Sequence, residues 1–153
     1  MEKKVAKISS FEEMLEDKGY IIYTNKGYSM LPLLRQGKDL FTVTAKPEGR
    51  CHKYDAVLYH RGEHTHVLHR IIKVREHDYV ILGDNCENKE YGITDDDIVG
   101  VMTGFVRNGV SYSTSDWRYV VYSHVWVWLH PLRIFLLRVF RRGKSWIRKL
   151  IKG

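Results

Sequence analysis

The chain has 153 residues, 44% of them apolar, which suits one domain with a buried core. Two cysteines, Cys51 and Cys86, without a secretory signal argue against a disulfide scaffold, so both thiols are expected to be reduced. Net charge is +7, but the segment from Arg133 to Gly153 holds eight Lys/Arg and no Asp/Glu, leaving the remainder at −1 (+7 less 8). An adhesive tail on a near-neutral body fits this split.

No apolar run near the N-terminus has the length of a signal peptide or a membrane anchor. Ser10-Phe11-Glu12-Glu13 has the form of a capping box, followed by an apolar stripe of Phe11, Met14 and Leu15, with Gly19 as the stop. A short helix over Phe11 to Lys18 is expected, covering one side of a β domain. Residues 1–19 form this N-terminal segment, 20–115 the β domain and 116–153 an apolar and basic tail.

The middle of the chain is rich in Val, Ile, Tyr and Thr. Strands are expected over Tyr20 to Thr24, Leu40 to Ala45, Tyr54 to Tyr59, Thr65 to Glu76, Tyr79 to Leu82 and Ile98 to Val106. Pro47-Glu48-Gly49, Arg61-Gly62 and Asn108-Gly109 punctuate them. The fold class that follows is mainly β, as a barrel-like or sandwich-like sheet. Between the first two strands lies Lys-Gly-Tyr-Ser-Met-Leu-Pro-Leu-Leu-Arg-Gln-Gly, from Lys26 to Gly37. Glycines at both ends and Pro32 inside make a stiff turn that holds Ser29 in one orientation.

Histidines cluster at His60, His64, His66 and His69, and a zinc site is the obvious rival to any other use of them. Alternation along a strand puts His64, His66 and Leu68 on one face and Val67, His69 and Ile71 on the other. His69 is thereby separated from its neighbours on an apolar face, and no metal is expected there. Cys86 lies near Gly83, but Asp84 and Glu87 beside it disfavour a reactive thiolate.

Four short boxes, Lys26 to Gly37, Val67-Leu68-His69-Arg70-Ile71-Ile72, Leu82-Gly83-Asp84-Asn85 and Asp97-Ile98-Val99-Gly100, come in an order and spacing that resemble the signal peptidase superfamily of serine peptidases. That superfamily also contains the self-cleaving repressors. The resemblance covers Lys26 to Val106 and implies a coiled β-sheet domain of that type. It implies Ser29, in the Ser-Met-x-Pro box, as nucleophile. It implies His69, forty residues on, as general base, which places the chain with the Ser/His, endoplasmic-reticulum-type branch.

A serine hydroxyl needs an adjacent base, an imidazole near pKa 6.5 suits that duty, and a third acid should hold its other nitrogen. In the branch that acid stands six residues beyond the Asp of the Gly-Asp-Asn box. Counted from Asp84 the position is Glu90, longer by one methylene, with Asp84 itself the alternative. Asp95, Asp96 and Asp97 read as a solvated acidic turn. Ser29 N–H is the natural oxyanion donor. The position two residues before it, where some members carry a hydroxyl, is Gly27, so one donor worth ~3 kcal/mol is missing and backbone groups or Tyr28 must serve. Gly27, Tyr28, Met30, Pro32 and Leu68 are the expected substrate-side residues, with an extended peptide adding to strand edges near Lys26 and Leu68. Members of the family anchored in membranes carry a transmembrane helix upstream of the serine box; the sequence here departs from them.

From Leu132 onward Phe135, Leu136, Val139, Phe140, Trp146, Ile147, Leu150 and Ile151 recur at helical spacing, with Arg138, Arg141, Arg142, Lys144, Arg148, Lys149 and Lys152 between them. Such a basic amphipathic helix is expected to lie on an anionic membrane surface. His124, His130, Pro131 and Arg133 break up a transmembrane span. Packing on the body or a partner and phosphate binding are the competing uses of the helix; nucleic acid is not the expected partner.

The expected activity is therefore that of a serine endopeptidase acting on a peptide or precursor protein at the cytoplasmic membrane face, with no cofactor. A catalytically inactive peptide-binding module of the same fold is the alternative. A self-cleaving regulator is disfavoured, because roughly 28 residues before Ser29 are too few for a DNA-binding domain and a cleavage linker.

Overall fold

The computed structural model describes residues 11–62 and 65–151, with side chains as far as 140. Among these described residues eight strands form one antiparallel sheet, accompanied by three α-helices, so the fold is mainly β.

Helix α1 spans Phe11–Lys18 and ends where Gly19, at φ +75°, donates its N–H to Leu15 O at 2.8 Å. Leu15 is buried, and Phe11 and Met14 pack beside it on the main core. Ser10 of the expected capping box lies outside the described residues.

Strand β1 (Tyr20–Thr24) pairs with β2 (Leu40–Ala45), and β2 pairs with β7 (Ile98–Arg107). On its other edge β7 pairs first with β3 (Ala56–His60) and then with β8 (Val110–Ser113). From β3 the sheet continues through β4 (His66–Val74) and β5 (Tyr79–Leu82) to β6 (Glu90–Ile93). One close approach fixes the centre: a Cβ at Gly100 would lie 2.6 Å from Val43 Cγ1, so only glycine lets β7 lie against β2 there.

Two buried clusters occupy the two sides of this sheet. Met30, Leu34, Phe41, Val43, Leu58, Leu68 and Met102 belong to one, and Val57, Tyr59, Ile71, Tyr79 and Ile81 to the other. The alternation along β4 puts Leu68 and Ile71 on opposite sides.

Strands β6 and β8 depart from the expected pattern. Glu90-Tyr91-Gly92-Ile93 is short, has Gly92 at φ +75° and carries one β-branched residue. Asn108 (φ +52°) and Gly109 (φ +78°) form the positive-φ pair of a tight hairpin, which turns β7 into β8. Strand β3 starts two residues later than expected, because Tyr54 takes φ +81°.

Helix α2 spans Trp117–Trp128, capped by the Asp116 carboxylate accepting from Arg118 N–H at 2.8 Å. Helix α3 spans His130–Ile151, with Pro131 in its first turn. Among the described residues no single helix is long and apolar enough to cross a membrane. Trp117–Trp128 and His130–Phe140 meet that test of length and composition only together, and they bend by 56°. The side chains expected to form the distal greasy and basic faces, Arg141 to Lys152, lie outside the described residues.

Candidate active site

The turn carrying Ser29 is fixed from both ends. Met30 and Leu34 are fully buried, and Leu34 N–H donates to Met30 O at 2.9 Å. Asp39, also fully buried, accepts from Arg35 N–H at 2.8 Å and from the Arg35 guanidinium at 2.6 to 3.2 Å. That pairing holds the Asp39 carboxyl below the usual range. At the near end Asn25 Nδ2 donates to Gly27 O at 2.7 Å. The Leu31-Pro32 peptide is cis.

The loop after β5 closes on this turn. Asn85 N–H donates to Ser29 O at 2.7 Å. A Cβ at Gly83 would lie 2.6 Å from Cys86 Sγ, 2.8 Å from His69 Nε2 and 2.9 Å from Ser29 O. The serine segment, the histidine and the Gly-Asp-Asn loop thus converge on one glycine with no room for a side chain.

His69 is buried on β4, opposite Val57 on β3. Its Nδ1 lies 2.9 Å from Glu90 Oε1 on β6, so the proton sits on Nδ1 and the Nε2 lone pair faces the Gly83 side. Glu90 is held in turn: Tyr59 O–H donates to Oε2 at 2.8 Å, Arg61 Nε donates to Oε2 at 2.9 Å, and the Arg61 terminal nitrogen pairs with Oε1. Tyr59 OH also lies 3.3 Å from His69 Nδ1. Burial lowers the His69 pKa despite the Glu90 carboxylate, so the ring is neutral near pH 7. Burial would raise the Glu90 carboxyl, but the bonds from Arg61 and Tyr59 outweigh it and hold it low.

Ser29 and His69 line one cleft of about 290 Å³, with Gly27, Lys26, Leu68, His66, Phe11 and Cys86 among its other walls. Among the described residues no hydrogen bond joins Ser29 to His69; in free enzymes such contacts are often long and tighten only with substrate. Cys86 is a free thiol whose pKa burial raises, which keeps it protonated.

Several expected positions lie elsewhere. The Asp84 carboxylate does not meet the imidazole. It accepts from Arg70 Nε and Nη2, both at 2.8 Å, and from Tyr122 O–H at 2.9 Å. This pair is enclosed by α2, because Arg70 also donates to Tyr119 OH at 3.0 Å. Asp84 is therefore the anchor of α2, turned to the face opposite His69 by strand alternation at Arg70. Tyr28 is 65% exposed and is not among the walls of this cleft. Met30 is core rather than substrate wall, and Pro32 lines a separate apolar groove with Leu31, Trp126, Leu136 and Phe140. His64 lies outside the described residues. Asp95 is less solvated than expected, since it accepts from Tyr79 O–H at 2.6 Å and pairs with Lys46 at 2.9 Å.

Tyr59 and Arg61 were not indicated by sequence. Alternation groups Tyr59 with Val57, but nothing local states that Val57 faces His69.

The carbonyl of Asp84 receives the far end of the chain. Trp126 Nε1–H donates to it at 2.8 Å and Arg133 Nη2–H at 2.7 Å, with the Arg133 guanidinium 3.7 Å from the Trp126 ring centroid. Outward from this clamp, Trp117, Trp128, Leu132, Phe135 and Phe140 are all more than half exposed.

Searched against family models, curated proteins and solved structures, the chain matches none.

Proposed function

We propose that this chain is a serine endopeptidase of signal-peptidase type, with Ser29 as nucleophile, His69 as general base and Glu90 as the acid that orients the imidazole. The observation that carries the reading is the 2.9 Å bond from His69 Nδ1 to Glu90, with Nε2 turned toward the segment of Ser29 in the same cleft. Three of the four boxes that resemble the superfamily, those of Ser29, His69 and Gly83, meet at this cleft. The fourth lies on β7 away from its walls, and the mainly β sheet is compatible with the superfamily's coiled β domain.

In this mechanism His69 Nε2 takes the proton as Ser29 Oγ attacks the peptide carbonyl carbon. Glu90 stabilises the resulting imidazolium, and Ser29 N–H donates to the oxyanion. Collapse breaks the C–N bond, and His69 returns the proton to the leaving amine. Water then attacks the acyl-enzyme with His69 again as base, regenerating the Ser29 hydroxyl. The exposed tryptophans and phenylalanines of α2 and α3, with the basic tail, support attachment to the inner face of an anionic membrane, where a precursor substrate would be met.

A silent peptide-binding module is the second reading, favoured by the missing hydroxyl at Gly27 and the open Ser29 to His69 contact. Active-site labelling separates the two. A serine-directed acylating probe is expected to add one adduct, mapped to Ser29, that Ser29→Ala and His69→Ala both lose. An unchanged intact mass under several such probes favours the silent module.

A further inference from the structure

Away from the serine, three ligand-bearing side chains from three elements meet. Strands β3 and β4 pair His60 directly with His66, and their ring centroids are 4.4 Å apart. Helix α1 lays its first turn over this end of the hairpin. Glu12 Oε1 comes 2.7 Å from His60 Nε2 and 3.2 Å from His66 Nε2. The ring of Phe11 meets that of His66 edge to face at 4.8 Å, which fixes the imidazole plane.

Both Nε2 atoms converge on the same carboxylate oxygen, and the three ligand atoms lie within 4.8 Å of one another. Around a tetrahedral zinc ion, with bonds of about 2.0–2.1 Å, ligand atoms stand about 3.3 Å apart. Small side-chain rotations bring this set to that spacing. From these distances we propose that Glu12, His60 and His66 bind a divalent transition-metal ion, zinc by preference. Imidazole nitrogens with one carboxylate suit a borderline ion rather than calcium or magnesium. The side chains are 21 to 40% exposed, so a fourth position is open to water.

The ion would pin α1 to the β3–β4 hairpin, elements far apart in the chain. Phe11 and His66 also form part of the wall of the cleft that holds Ser29 and His69, so binding stiffens that wall. The site does not depend on the peptidase reading.

Calorimetric titration of the full chain with Zn2+ tests it. One ion per chain is expected, with affinity reduced more than about 100-fold by the double substitution His60→Ala/His66→Ala, since even outer-shell partners of a metal are worth about 10- to 100-fold. Glu12→Gln should weaken binding as well. His52→Ala, His77→Ala and Ser29→Ala should leave it unchanged. If the histidine variants fail to fold, Co2+ added to the wild-type chain decides: an intense visible band of four-coordinate nitrogen and oxygen ligation supports the site. No saturable uptake, uptake indifferent to the cluster, or only the weak band of hexa-aqua-like cobalt overturns it, leaving a His–Glu ion pair.

Discussion

Asn85 donates its backbone N–H to the carbonyl of Ser29 at 2.7 Å, joining the loop after β5 to the turn that carries the hydroxyl. Gly83 lies at the centre of this junction, against His69 on one side and Ser29 on the other.

Gly83→Ala is therefore expected to displace His69 from the serine segment. The added methyl would lie 2.8 Å from Nε2 and 2.9 Å from a backbone carbonyl that cannot rotate away. Overpacking of this kind costs about 1–3 kcal/mol. Urea unfolding should register that loss, and serine labelling should fall far more than the folded fraction does. Unchanged labelling in a folded variant would refute the close approach.

Activity should depend on a neutral His69. Burial puts its pKa below the ordinary imidazole value, so the acid limb of kcat/KM should fall below pH 6.5. The unfolded chain, with an ordinary imidazole, binds the proton first as pH drops. His69 thus adds nothing above pH 6.5 and lowers stability progressively from there down through its folded pKa. A pH profile flat to acid would exclude imidazole as the base.

Glu90→Gln removes the group that raises the His69 pKa and stabilises its imidazolium. The acid limb should move further down, and kcat should fall by up to about 10⁴-fold, as when the acid of such a triad becomes an amide. Asp84→Asn should leave the position of the acid limb much nearer to wild type. A kcat loss in Glu90→Gln without a shifted limb would mean that Glu90 acts only by holding Tyr59 and Arg61.

Asp84 and Arg70 form an ion pair with side chains 2% and 0% exposed. Asp84→Ala leaves a buried guanidinium without its carboxylate, and the loss should be about 3–5 kcal/mol in chemical denaturation. Because Tyr119 and Tyr122 meet this pair, the loosening should start at α2, visible as faster hydrogen exchange over 117–128.

Deleting residues 132–153 should abolish flotation with anionic liposomes, and raised salt should weaken binding by the intact chain. Flotation unchanged by the deletion would remove the membrane from the proposed function.

Local pattern determined much of this chain. A capping box with an apolar stripe and a glycine stop marked α1, and β-branched and aromatic runs between turn residues marked β1, β2 and β5. All four stand at their observed bounds, because those elements agree with their own propensities. The resemblance to the Ser/His branch, counted six residues on from Asp84, implied Glu90, although the strand that carries it had no local signal: a glycine at positive φ hides β6 from any propensity. Tertiary structure alone decided what faces what. Alternation says which residues of one strand share a side, but not which strand lies next to it, so Tyr59, Arg61 and the Asp84–Arg70 pair had no local signal. The same holds for Glu12 with His60 and His66, since a helix at one end of the chain meets a hairpin some fifty residues away only after the core beneath α1 has closed.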